Sequence, residues 1–138
     1  MEIKIKYLED IEPLEQHGDM VDLRAAVDVM AKAGEFMLIP LGVAMQLPDG
    51  YEAHIYPRSS TFKKWGMILT NGVGIVDNGY CGDDDMWYFP AYFTRDVNIP
   101  KNTRIAQFRV FENQPQIDFK VVYKLNNENR GGIGSTGE

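Results

Sequence analysis

Turn-forming residues interrupt this chain so often that it has little room for anything but short strands. Pro40, Pro48-Asp49-Gly50, Pro57, Asn71-Gly72, Asn78-Gly79, Pro90, Pro100 and Pro115 punctuate it. Each of these fixes φ, removes a backbone donor or tolerates a turn conformation. Between them, apolar residues alternate with polar ones. Ile3, Ile5 and Tyr7 alternate with charged residues, and Ala53, Ile55 and Pro57 alternate with His54 and Tyr56. Ile117, Phe119, Val121 and Tyr123 alternate with Asp118, Lys120 and Val122. A period of two marks a half-buried strand. Residues 36–41, 67–70 and 104–111 also read as strands. Only residues 23–32 keep a helical option, and Val27 and Val29 tilt them towards strand. Many short strands with frequent turns predict an all-β sandwich or barrel.

The 138 residues are the size of one ordinary domain. Such a chain buries roughly two-thirds of its unfolded surface and needs no metal or disulfide staple. No repeat or linker divides it, so residues 1–125 read as one domain. Residues 126–138 are polar and glycine-rich. They have little to bury and are expected to form a mobile arm until a ligand orders them. Cys81 is the single cysteine, which excludes an intrachain disulfide and points to a reducing, cytoplasmic setting. No apolar run approaches the ~18 residues of a membrane span. The amino-terminal stretch alternates and then turns acidic, unlike a signal peptide. The formal net charge is −6. Direct nucleic-acid binding selects for clustered Lys and Arg and is not expected. A local pocket of Arg, Ser and glycine amides still suits a small anion.

Four stretches carry residues suited to chemistry, and each has a plainer reading beside it. Pro57-Arg58-Ser59-Ser60 offers a guanidinium and two hydroxyls to a phosphate, or is a polar turn. Residues 71–82 resemble a β-hairpin turning near Asn78-Gly79. There Asp77 is either a base that activates water or ordinary turn chemistry, and Tyr80 offers a flat ring to a sugar. Arg104-Ile105-Ala106-Gln107 opens a strand, with Gln107 as an amide donor or a surface residue. In the tail, Arg130, Gly134, Ser135 and Thr136 resemble a phosphate cradle, without P-loop spacing. The plainer reading of that tail is disorder. His17 and His54 are the only histidines, too few with one cysteine for an ordinary zinc site. Asp83-Asp84-Asp85 reads as a solvated acidic turn.

Taken in order, these stretches resemble the trimeric dUTPase family, and the resemblance runs from about Gly18 to the carboxy terminus. The five ordered motifs of that family look here like Val21-Asp22-Leu23-Arg24-Ala25, Pro57-Arg58-Ser59-Ser60, residues 74–82, Arg104-Ile105-Ala106-Gln107 and the glycine-rich tail. Phage and prophage enzymes of Gram-positive bacteria are the most similar kind. The resemblance implies a jelly-roll-type β-barrel with a flexible carboxy-terminal arm, and a homotrimer whose three sites are shared between chains. It implies that dUTP is hydrolysed to dUMP and pyrophosphate with Mg²⁺, in the cytoplasm of a bacterial host. That activity limits uracil incorporation into DNA and supplies dUMP for dTMP synthesis.

By the same resemblance, Asp77 activates the water that attacks the α-phosphorus. Asp22, paired with Arg58, acts on the metal through water. Asn71 and the backbone of Gly74, Ile75 and Val76 pair with uracil, and Tyr80 stacks on the deoxyribose. Ser59, Ser60, Gln107, Arg130, Gly134, Ser135 and Thr136 bind the triphosphate. Three departures stand out, one being a tail shorter than usual between Arg130 and the final glycines. Met20-Val21 precedes Asp22 where the family has a glycine two residues before its aspartate. Ile133 stands where the family has a phenylalanine that caps uracil, and an isoleucine does not stack as an aromatic does. An aromatic from elsewhere is therefore expected to cover the base, with Trp65 and the run Trp87-Tyr88-Phe89-Pro90-Ala91-Tyr92-Phe93 as the candidates. Two other functions fit the same fold. One is a dCTP deaminase, although the glutamate it needs after the third motif is absent before Glu112. The other is a phage regulatory trimer that binds a protein partner.

Overall fold

A computed structural model of the chain describes residues 1–134. Eleven strands and one short helix follow in the order β1 (Lys4–Tyr7), β2 (Val21–Arg24), β3 (Val29–Ala31), β4 (Phe36–Pro40), β5 (Val43–Gln46), β6 (Tyr51–Pro57), α1 (Thr61–Trp65), β7 (Met67–Leu69), β8 (Gly74–Val76), β9 (Tyr88–Phe93), β10 (Val97–Ile99) and β11 (Arg104–Glu112). They pair, always antiparallel, into sheets ordered β2-β11-β6-β8, β4-β9-β7, β1-β5 and β10-β3. This is the all-β architecture that the turn density predicts, and it fits the jelly-roll type that the resemblance implies.

Alternation builds the core. On β9, Phe89, Ala91 and Phe93 face inward while Tyr88 and Tyr92 stay exposed. Trp87, Phe89, Phe93, Leu23, Ile39 and Ile105 are fully buried. Each such side chain contributes about 1.5–3 kcal/mol relative to exposure. The segment 23–32 resolves as the end of β2, a connection and then β3, so its strand reading holds. Among the described residues no helix is long and apolar enough to cross a membrane.

Three expectations are corrected. Residues 117–123 form no strand, and Phe119, Val121 and Tyr123 are almost wholly exposed. Alternation gives a strand one apolar face, but a ladder also needs a partner edge, and after Glu112 this segment meets none among the described residues. The stretch 71–82 is not a two-armed hairpin. Asn78-Gly79 does turn, with the Tyr80 N–H donating to the Asp77 carbonyl at 3.0 Å. Yet β8 pairs only with β6 among the described residues. Helix α1 went unpredicted because tertiary bonds hold it. The buried Thr61 hydroxyl donates to the Ile105 carbonyl at 2.8 Å, and Gly66 closes the helix at φ 60°.

Candidate active site

The register of β11 against its neighbours builds one group of functional side chains. Gln107 lies opposite Asp22 on β2 and opposite Tyr56 on β6. Its amide donates to the Pro57 carbonyl at 3.1 Å. Immediately beyond β6, the Arg58 Nε sits 3.2 Å from the Asp22 carboxylate, and Arg104 approaches the same carboxylate at 3.8 Å. Arg58 is fixed twice more. Its backbone N–H donates to the Thr61 hydroxyl at 2.8 Å, and its guanidinium donates to the Arg104 carbonyl at 3.3 Å. Ser59 is exposed, and Ser60, at the start of α1, makes no side-chain cap bond. Two guanidiniums therefore flank one carboxylate, and the hydroxyls of Ser59 and Ser60 follow Arg58 directly in the chain, a set of groups suited to phosphate oxygens. Thr61 is the positioning residue that sequence reasoning missed. Its only signal was a hydroxyl three residues after Arg58.

The second group surrounds a cavity of about 220 Å³ lined by Asn71, Gly74, Ile75, Val76, Asp77, Tyr80 and Tyr88, with Ile55, Met86 and Trp87. Gly74 lets β8 lie close to β6, because a Cβ there would stand a tight 3.1 Å from the Ile55 Cβ. The Tyr80 hydroxyl donates to the Met86 carbonyl at 2.7 Å. Burial first, and then Asp85 and Tyr88, raise its pKa, so the phenol stays neutral and keeps donating. Asp77 is exposed at the end of β8 and joins no ion pair among the described residues. The turn that follows is tied down by Asn78, whose amide donates to the carbonyls of Pro48 at 2.8 Å and Tyr51 at 2.9 Å. Asn78→Ala is therefore expected to cost about 1–3 kcal/mol by removing two hydrogen bonds to half-buried carbonyls. Thermal denaturation of the variant measures it, and an unchanged midpoint would refute the anchoring role.

The aromatic run sorts by burial. Trp87, Phe89 and Phe93 belong to the core, and Trp65 packs against it. Trp87 lines the cavity but is buried, with its ring 5.2 Å from that of Phe108. Tyr88 lines the same cavity and is 41% exposed.

Asp22 and Asp77 stand on or beside strands at opposite edges of one sheet, while Gln107 and Arg58 stand on or beside the strands between them. Strands β2 and β8 bound the order β2-β11-β6-β8, three strand spacings of about 4.8 Å apart. No hydrogen bond or ion pair joins Asp22, Arg58 and Gln107 to Asp77 and Tyr80 among the described residues. Arg130, Ile133 and Gly134 are exposed and line neither group, while Ser135 and Thr136 lie outside the described residues.

The dUTPase family profile matches residues 8–137. The chain is 55% identical to the SPbeta prophage-derived deoxyuridine 5'-triphosphate nucleotidohydrolase YosS of Bacillus subtilis, over 99% of both chains. Its fold superposes on the dUTPase of Staphylococcus bacteriophage 80alpha, solved with dUPNHPP, at a TM-score of 0.75, with 22% identity and 99% of each chain covered. A mutant dUTPase of phage phi11 of S. aureus, described with a structural Mg(II) ion, superposes at 0.75, with 16% identity and 91% and 99% coverage. With a profile match across most of its length and a close relative matched end to end, the chain belongs to the dUTPase family.

Proposed function

We propose that this protein is a dUTP diphosphatase, cleaving dUTP to dUMP and pyrophosphate. The observation that carries this reading is the cavity where Asp77 stands beside Tyr80 and the edge strand β8, in a chain of the dUTPase family. Because β8 ends its sheet, its outer N–H and C=O groups are unpaired by the ladder. An open strand edge presents alternating donors and acceptors, which suits the hydrogen-bonding edge of uracil. A cytosine in that position leaves buried polar groups mismatched, which costs enough to discriminate strongly. The Tyr80 ring, held by its bond to Met86, packs on the deoxyribose and leaves no room for a 2′-hydroxyl. Asp77 takes the proton from the attacking water.

The donor set fits a magnesium ion carried by the substrate. No group of three or more His, Cys, Asp or Glu side chains could cage a metal among the described residues. Mg²⁺ commonly keeps its waters and binds through one or two carboxylates plus substrate phosphates. Asp22 would reach it through water. When bound, the ion neutralises phosphate charge and orients the α-phosphate. Ser59, Ser60 and Gln107 hold the remaining oxygens, and Arg58 holds Asp22 in place.

The separation of the two groups supports a site completed between copies of the chain, as a homotrimer with three shared sites. Residues 126–138 would act as the arm that closes it, with Arg130, Gly134, Ser135 and Thr136 on the phosphates. Tyr88 takes over the aromatic cover of uracil from the tail position held by Ile133. The physiological role would be to limit uracil in DNA and to supply dUMP in the cytoplasm of a bacterial host.

Turnover of dUTP with Mg²⁺ tests the activity, following pyrophosphate and ammonia together, with dCTP, dTTP and UTP alongside. Pyrophosphate from dUTP alone is expected. Ammonia from dCTP would move the chain to the deaminases, and no turnover would leave a nucleotide-binding regulator. Tyr88→Ala is expected to weaken dUTP binding about tenfold, and Ile133→Ala far less. Equal, small effects would remove Tyr88 from the base cover.

A further inference from the structure

Helix α1 begins without the usual help. A serine before a helix ordinarily adopts an extended backbone and accepts a hydrogen bond from an N–H of the first turn. Ser60 stands there at φ −94° and ψ −6°, a helical conformation, and its side chain makes no cap bond. The first turn carries no acidic residue either. Thr61 supplies the anchor instead. It is the one buried polar residue among the described residues, 1% exposed. Its hydroxyl oxygen accepts the Arg58 N–H at 2.8 Å, and its O–H donates to the Ile105 carbonyl at 2.8 Å. The Thr61 N–H also closes the turn on the Arg58 carbonyl at 3.0 Å.

A bulge makes the acceptor on β11 available. The register of β11 against β2 shifts between Arg104 and Ala106, and pairing with β6 begins at Ala106. Ile105 is the extra residue, and a bulge takes such a residue out of the ladder. Two further bonds join the same segments. The Gln107 amide donates to the Pro57 carbonyl at 3.1 Å, and the Arg58 guanidinium donates to the Arg104 carbonyl at 3.3 Å. Both use side chains of the proposed phosphate group, so both can exchange partners when a ligand arrives. The Thr61 bridge is buried and has no ligand to exchange with.

We infer, on the proposed phosphate role of Ser60, that Thr61 is a positioning residue for the triphosphate. Its hydroxyl bridge holds Ser60 in the helical conformation that keeps the Ser60 hydroxyl out of the cap and open to a phosphate oxygen. Loss of the bridge leaves the Arg58 N–H and the Ile105 carbonyl without their partner, and the turn relaxes. Ser60 then takes the N-cap role that serines prefer, which turns its hydroxyl towards the helix and away from the ligand. The grip that is lost acts on the β- and γ-phosphates. A nucleotide that lacks them is held by the base and sugar and loses little.

Calorimetric binding of dUMP and of a non-hydrolysable dUTP analogue, with Mg²⁺, tests this on full chains whose folding is verified by circular dichroism and thermal melting. Thr61→Val keeps the shape of the side chain and removes both of its hydrogen bonds. It is expected to weaken binding of the analogue about tenfold, the size of one lost hydrogen bond to a charged group, and binding of dUMP by less than about twofold. Thr61→Ser keeps the hydroxyl and is expected to bind both nucleotides within about twofold of wild type. In a Ser60→Ala background, Thr61→Val is expected to add nothing further, because the two residues act as one unit. Should the valine variant not fold, Thr61→Cys, with its weak thiol donor, gives the same pattern at smaller size. Equal losses for both nucleotides, no loss for the analogue, or an undiminished loss in the Ser60→Ala background would overturn the inference. Ser60→Ala alone tells the two readings apart. If it binds the analogue as wild type does, Ser60 leaves the phosphate group, and the inference falls with that reading rather than through the Thr61 bridge.

Discussion

Asp77→Asn lowers kcat for dUTP by about 10²–10⁴-fold and changes nucleotide affinity little, the range expected when a positioned base is removed. The substitution is nearly isosteric. Asn78 still ties the turn to Pro48 and Tyr51, and the backbone of β8, proposed to face the base, is untouched. What disappears is the ability to accept a proton from water. Single-turnover measurement with saturating dUTP separates this from a binding defect. A kcat within a few-fold of wild type would transfer the base role to another group.

The second large effect comes from mixing two dead proteins. Arg58→Ala frees the Asp22 carboxylate from its 3.2 Å partner, and displacement on the ångström scale costs about a hundredfold in rate. Asp77→Asn leaves that group intact and disables the other. Refolded together in equal amounts, the two chains are expected to regain about a quarter of wild-type turnover. Half of the Asp77 groups are sound, and half of the neighbouring Arg58 groups are sound, combined at random around a closed ring. If each site lay within one chain, the mixture would show no more than the sum of its parts. The readout is rescue, which a merely structural defect in either variant cannot produce.

How much of this was legible beforehand depended on whether the cause was local. Turn residues and alternation act over a few positions, so the β-rich fold, the strand reading of residues 23–32 and the edges of β4, β6 and β11 could be read from the sequence. The pairing of Asp22 with Arg58 and its nearness to Gln107 were expected from a motif order, and the register of β2, β11 and β6 supplies their physical cause. Whatever depended on distant partners stayed hidden. Thr61 makes α1 by bonding to Ile105, forty-four residues away. Asn78 turns an expected hairpin into a strapped loop by reaching back to Pro48 and Tyr51. Residues 117–123 carry the pattern of a strand without a neighbour to pair with. Among the five aromatics of residues 87–93, exposure separated Tyr88 and Tyr92 from the core residues, and only the lining of the cavity separated Tyr88 from Tyr92.

Strand β8 ends its sheet, and that position bears on how this protein can change over generations. Atoms that every amino acid shares would do the reading of the base, so drift in the side chains of Ile75 and Val76 leaves the choice of nucleotide largely untouched. The same arrangement resists redesign. No single exchange of side chain rewrites a pattern of N–H and C=O groups, and the one position where bulk intrudes, Gly74, would push β8 off Ile55 before it altered what is recognised. A lineage carrying this strand is free to vary its surface and its partners while the identity of its substrate stays inherited.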